Sequence, residues 1–169
     1  MRIRQFVQSE VIPTIDPYVE EAKFPEYLIP KLRATNILSY FLKPPYGKPL
    51  STFAQGAIIA ELARGDAGVC TMVLVQYALV IYTIEALGSE EQKATYLPKL
   101  KNFELIGGWG LTEDKIGSDA SNLKTRADKI NATQYKLNGT KRWIGNGNRD
   151  ILIIWARNSQ NNNVEAFIL

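Results

Sequence analysis

Apolar residues in the first hundred positions recur at helical spacing. Ile3, Phe6, Val7 and Val11 lie at i, i+3, i+4 and i+8, one stripe of an amphipathic helix. Pro13 and Pro17 end or kink that helix, because proline has no amide donor and crowds the preceding turn. Pro25 opens a second predicted helix through Leu28 and Leu32. The run 43–49 (KPPYGKP) is a loop by its proline and glycine content. Ser51 is placed to cap a third helix, with Ala54, Ile58 and Leu62 on its stripe. Asp66 caps a long apolar helix that Gly88 ends. Ser89, with Gln92 three residues on, reads as a capping box. The helix it starts runs towards Leu97 and Pro98.

After about Asn102 the period changes to that of strands. Leu105–Thr112 is glycine-rich and extended, and Leu123–Asp128 alternates apolar or small residues with charges. Tyr135–Leu137 and Thr140–Trp143 flank Asn138-Gly139, a type I′ hairpin pattern, since both turn positions need positive φ. Ile151–Ala156 is a continuous apolar strand and Val164–Leu169 begins another. The expected fold is α+β: an all-α helical bundle over residues 1–104, then an incomplete antiparallel β-barrel or sandwich over 105–169. So few short strands leave open edges and an apolar face, so the chain reads as a fragment or as one whose sheet is completed by something else.

Composition narrows the chemistry. With 46% hydrophobic and 22% charged residues, the 169-residue chain carries enough apolar material for a core. The net charge is +3 with no Lys/Arg block, so nucleic acid is not an expected partner. There is no histidine, which removes His-dependent nucleophilic catalysis and His-ligated metals. Cys70 is the single cysteine, which excludes an intrachain disulfide and a cysteine zinc site. It sits in an apolar run, as a buried inert thiol would, so no metal site is expected. Ala67–Leu87 approaches membrane-spanning length, yet it carries Thr71, Gln76, Tyr77, Tyr82, Thr83 and Glu85 without a flanking basic cluster. A buried central helix, not a membrane span, explains it. No secretory leader is read at the start, so the Asn131-Ala-Thr133 and Asn138-Gly-Thr140 sequons are read as chance.

Two stretches carry candidate chemistry. In Leu111–Ser121 (LTEDKIGSDAS), a strand ends in Thr-Glu and runs into Gly117-Ser118-Asp119. Glycine admits close backbone approach, and successive amides with hydroxyls hold an anion such as a pyrophosphate; a capped loop is the other reading. In Lys141–Asn146 (KRWIGN), an indole after a tight turn presents a flat apolar wall to an aromatic ring, unless it is a core tryptophan.

Taken together, Thr112-Glu113, Gly117-Ser-Asp119 and, some way on, the Asn138–Ile144 run (NGTKRWI) resemble the acyl-CoA dehydrogenase and acyl-CoA oxidase flavoproteins. Ala60–Arg64 followed by Asp66, then Gly88–Gln92 and Tyr96–Leu100, agree with the same family, so the likeness runs along essentially the whole chain. Within it, Arg142–Asn146 and Gly117–Ser121 look most like the plant-type peroxisomal short-chain acyl-CoA oxidases. The resemblance implies FAD as cofactor, bound by Trp109, Leu111, Thr112, Gly117, Ser118, Trp143, Ile144 and Gly145. It implies an acyl-CoA substrate met by Ser118, Cys70, Thr71 and Leu74, and α,β-dehydrogenation as the reaction. It implies a homo-oligomer when full length, located in the peroxisome or, as the alternative, the mitochondrion.

Several positions depart from the family pattern. Asp114, Lys115 and Ile116 replace a proline and small residues, and Asn122 replaces a small residue. Gly145 stands where most dehydrogenases have a flavin-bonding threonine, which would open space for oxygen. Cys70 and Leu74 stand where glutaryl-CoA dehydrogenases place a carboxylate-binding arginine and serine, so a monocarboxylic chain is favoured. Tyr77 shortens the pocket or simply packs. The family's catalytic glutamate belongs to a C-terminal domain beyond the matching region, and Glu61, Glu85 and Glu113 do not match it. The chain alone is expected to be inactive, with a non-catalytic binding or assembly module as the rival reading.

Overall fold

The computed structural model describes residues 2–169. They form two compact units, the first ending at Leu105 and the second comprising Ile106–Leu169.

The first unit is helical. Helix α1 (Arg2–Phe6) continues as a π-helical stretch, Val7–Val11. The predicted stripe is its inner face: Ile3, Phe6, Val7 and Val11 are all buried. α2 (Asp16–Glu20) carries Pro17 in its first turn, where the missing amide costs nothing. α3 (Leu28–Thr35) starts three residues after Pro25, buries Leu28 and Leu32, and ends at left-handed Asn36. The 43–49 run is irregular, as expected. α4 (Thr52–Gly65) is capped by Ser51, whose Oγ accepts the Ala54 amide at 3.3 Å. α5 (Ala67–Leu74) is capped by Asp66, whose Oδ1 accepts the Val69 amide at 2.6 Å.

α5 runs on through a π-helical stretch (Val75–Ile81) into α6 (Tyr82–Leu87), giving one 21-residue apolar rod long enough to cross a membrane. Val69, Cys70, Met72, Val73, Val80, Ile81 and Ile84 are buried within the helical unit. Gln76 is fully buried, and its amide donates to the carbonyls of Leu100 (2.9 Å) and Leu105 (2.8 Å). A core rod explains that polar crosslink better than a lipid-facing one does. α7 (Glu90–Lys101) opens with the full Ser89–Gln92 capping box. It does not stop at Pro98, which lies inside it, because buried Leu97 and Leu100 hold the last turn.

The second unit is one open five-stranded sheet: β1 (Gly107–Gly110), β2 (Arg126–Lys129), β3 (Tyr135–Asn138), β4 (Ile151–Asn158) and β5 (Val164–Ile168). β4 is the spine. β5 pairs antiparallel along one edge, while β1 and β2 share the other, both parallel to β4. The sheet is therefore mixed rather than wholly antiparallel. A parallel partner needs a crossover, here the chain between β4 and the earlier strands, and no local turn pattern announces it.

The Asn138-Gly139 hairpin does not form. β3 pairs instead with β2, the preceding strand, through a turn where the Asn131 side chain accepts the Thr133 and Gln134 amides. Residues 139–150 lie outside the sheet. Gly139 has φ +156, and a Cβ there would lie 2.7 Å from Thr125 Cβ, so tertiary packing, not a turn, calls for this glycine.

Candidate functional site

The Lys141–Asn146 stretch crosses β1 and meets the Leu111–Ser121 stretch just beyond it. The register pairs Gly107–Gly110 with Ile151–Ile154, and side chains alternate between the faces. Trp109 lies on the face of Ile153 and Trp155, its ring 5.8 Å from that of Trp155 and edge-on at 67°. Gly108 and Gly110 offer only hydrogens to the opposite face, and Ile144–Asn146 crosses there. A Cβ on Gly108 would sit 3.0 Å from the Asn146 carbonyl and 3.1 Å from that of Gly145. One on Gly110 would sit 3.3 Å from Ile144 Cδ1. The Asn146 side chain donates to the Gly107 carbonyl at 3.1 Å. Beyond the strand, the Arg142 amide donates to the Thr112 carbonyl at 2.9 Å.

Glu113 is the buried hub of this junction. Its Oε1 accepts the Thr125 hydroxyl (2.6 Å), the Thr125 amide (2.8 Å) and the Lys141 ammonium (2.9 Å). Its Oε2 accepts the Lys124 amide at 2.7 Å. Burial alone would push this carboxyl up. The hydrogen bonds from the Thr125 hydroxyl, the Lys124 amide, Lys141 and the Thr125 amide outweigh it and hold the carboxyl down to about 2. Lys141 also donates to the Leu111 carbonyl at 2.9 Å. Its role escapes the sequence because its partner stands 28 residues earlier. The one hint is a lysine beside an indole in the Asn-Gly-x-Lys-x-Trp-Ile pattern.

Trp143 is not a core tryptophan. It is 81% exposed, with left-handed backbone (φ 59), and the Arg142 guanidinium lies 4.5 Å from its ring centroid. Asp114 Oδ1 accepts from Arg142 Nη1 at 3.0 Å, so the departure at Asp114 has a partner here. Ile144 is half-buried and Gly145 exposed. Leu111 and Thr112 are half-buried, and Gly117 and Ser118 are exposed. Nothing lies within 4 Å of a Cβ built on Gly117. The hydroxyls of Thr112 and Ser118 make no hydrogen bond to another described residue.

The four expected substrate residues are not gathered in one unit: Ser118 is in the second, and Cys70, Thr71 and Leu74 are in the first. Cys70 is buried, its thiol 3.6 Å from the Ile59 carbonyl, and burial pushes the thiol up, with the Asp66 charge adding to the rise. Leu74, one turn on, is half-buried. Thr71 is exposed, and its hydroxyl returns to the Ala67 carbonyl at 2.8 Å. Tyr77 stacks on Phe41 at 4.0 Å, which gives it a packing role. A separate groove in the helical unit, lined by Arg2, Arg4, Tyr40, Leu50, Phe53 and Glu61 among others, includes none of these residues.

No glutamate singled out is poised as a base. Glu113 is fully engaged. Arg4, by hydrogen bond and charge, and then Arg64 hold Glu61 down to about 2. Glu85 accepts the Lys43 amide at 2.8 Å.

Comparison with known proteins identifies the family of both units. The acyl-CoA dehydrogenase N-terminal domain matches residues 1–104, and the middle domain of the same family matches 108–169. The short/branched chain specific acyl-CoA dehydrogenase of Rattus norvegicus, a mitochondrial protein by name, is 33% identical over 91% of this chain and 36% of its own length. The glutaryl-CoA dehydrogenase of Mycobacterium smegmatis, solved in complex with FADH2, superposes with TM-score 0.90 at 34% identity, covering 99% of this chain and 43% of that one. The butyryl-CoA dehydrogenase of Megasphaera elsdenii gives TM-score 0.88 at 30% identity, over 99% of this chain and 46% of that one. The chain thus spans less than half the length of these relatives. They are named dehydrogenases, and the expected tie to plant peroxisomal oxidases finds no support among them. With its helical unit matching one domain model and its sheet the next, the chain belongs to the acyl-CoA dehydrogenase family.

Proposed function

We propose that this chain forms one wall of an FAD site, and that the whole protein carries out flavin-dependent α,β-dehydrogenation of an acyl-CoA. The observation that carries this is the joining of the 107–112 and 141–147 strips, with Trp143 turned out of the fold beside them. An exposed indole in a left-handed conformation is costly to keep and serves no core, so it fits a planar ligand. The uncommitted Thr112 and Ser118 hydroxyls fit the edge of a ring and an anionic phosphate, and the open space at Gly117 lets backbone amides approach. Trp109, Leu111, Ile144 and Gly145 complete the set we assign to the cofactor. When bound, the flavin supplies the acceptor for hydride from the β-carbon.

The residues of this chain bind and orient; none of them takes the α-proton. On the helical unit, Cys70 is buried and Leu74 half-buried, both apolar, and the exposed Thr71 returns its hydroxyl to its own helix. Cys70 and Leu74 suit a hydrocarbon tail, and an unpaired distal carboxylate against them would be costly. A monocarboxylic acyl-CoA is therefore the substrate we assign, its short chain carried over from the family resemblance alone, although a glutaryl-CoA dehydrogenase is among the similar proteins. The relatives' names favour a dehydrogenase over an oxidase, and the rat relative's name favours the mitochondrion over the peroxisome. By analogy with the family, the whole protein is a homo-oligomer.

The test is titration of FAD with the purified chain. Quenching of flavin emission that is lost in Trp143→Ala supports the reading, and unquenched emission at saturating protein sinks it. In the whole protein, peroxide formed from acyl-CoA and oxygen would return the oxidase assignment.

A further inference from the structure

From the network that holds Lys141, two residues before Trp143, we infer that the buried Glu113–Lys141 pair is a positioning device, fixing the indole relative to the Leu111–Thr112 strip. Its functional meaning rests on the flavin reading above. Both side chains are nearly sealed from water, 8% and 6% exposed. Lys141 spans two acceptors on the first strip, the Leu111 carbonyl and the Glu113 carboxylate, both at 2.9 Å. Glu113 in turn is tied to Lys124 and Thr125. Gly139, two residues before Lys141, packs against Thr125, which holds the incoming chain close to the same network.

Trp143 follows two residues after Lys141. Its ring is mostly in water, and the guanidinium over its face belongs to Arg142, its neighbour in sequence. Its placement is therefore inherited from the backbone at 141–142, where the Arg142 amide is bonded to the Thr112 carbonyl. Stability alone does not account for the pair, because a well-packed apolar pair of similar volume is commonly as stable or more so. What apolar packing lacks is a single required geometry. A lysine held between two oxygens, each oxygen already fixed, has one.

The test uses the full chain with fluorotryptophan at Trp109, Trp143 and Trp155, the Trp143 fluorine line being assigned by Trp143→Phe. In Lys141→Met the Trp143 line moves or broadens while the other two stay. Lys141→Arg keeps it in place. The double variant Glu113→Met/Lys141→Met, which leaves no buried charge unpaired, shows the Lys141→Met pattern. FAD affinity falls about tenfold in Lys141→Met, the loss expected when a preorganised wall loosens. An unmoved Trp143 line in the double variant overturns the proposal. So does collapse of all three lines in both variants, which would make the pair a general folding element. If the wild-type chain binds no FAD while the Trp143 line responds as described, the flavin reading falls and the positioning role stands. If wild type and variants bind FAD equally, the positioning role falls and the flavin reading stands.

Discussion

Gly139 lies directly on Thr125: a Cβ built on the glycine would be 2.7 Å from the threonine Cβ and 2.8 Å from its Cα. Thr125 is the residue whose hydroxyl donates to Glu113. Gly139→Ala therefore overpacks the site, and its φ of +156 is one that L side chains rarely adopt. The expected loss is about 2–3 kcal/mol, read as a lower urea midpoint for the sheet unit. A midpoint within error of wild type would show that the chain relaxes around the methyl group.

Glu113 sets an acid limb. Its folded carboxyl titrates at about 2, below the ordinary 4.5. A depressed folded value contributes stability that is fully present above the unfolded pKa and lost as pH falls through the folded one. Wild type should lose stability between pH 4.5 and about 2. Glu113→Gln should be the less stable protein above that window, and the two midpoint curves should converge as pH drops through it. Curves that stay parallel would remove Glu113 as the cause.

Trp143 separates binding from folding. Because the ring is 81% exposed, Trp143→Ala should change stability by less than about 1 kcal/mol. The same change should abolish most flavin quenching. A large fall in thermal midpoint would reveal a packing role.

Gln76 is the polar pin of the helical core. Gln76→Leu strands the Leu100 and Leu105 carbonyls that its amide serves. About 2–3 kcal/mol of destabilisation is expected from two unsatisfied buried acceptors. Chemical denaturation of the purified variant measures it, and a neutral result would mean other donors replace the amide.

The Ser89–Gln92 box is local and exposed. Ser89→Ala should cost about 1 kcal/mol and fray the start of α7. Hydrogen exchange at the first α7 amides reads this without involving the rest of the fold.

What the amino-acid order determined by itself was whatever a few neighbouring residues decide. Ser51, Asp66 and Ser89 cap where they were read to cap, because a side-chain oxygen reaches an amide three residues on without outside help. The Ile3, Phe6, Val7 and Val11 stripe is the buried face, because helical spacing alone puts those residues together. Thr112-Glu113 and the Lys141–Asn146 run stood out for similar reasons of local composition. The tertiary structure decided which of these meet. Pro98 stays helical because Leu97 and Leu100 are buried around it. Asn138-Gly139 does not turn back on itself, since β3 already pairs with β2 and the glycine is needed against Thr125. β1 and β2 lie parallel to β4, and Lys141 finds Glu113, across separations that leave no periodic trace in the chain. Such contacts exist only once long loops have closed, and their energies depend on a burial that no short window of residues contains.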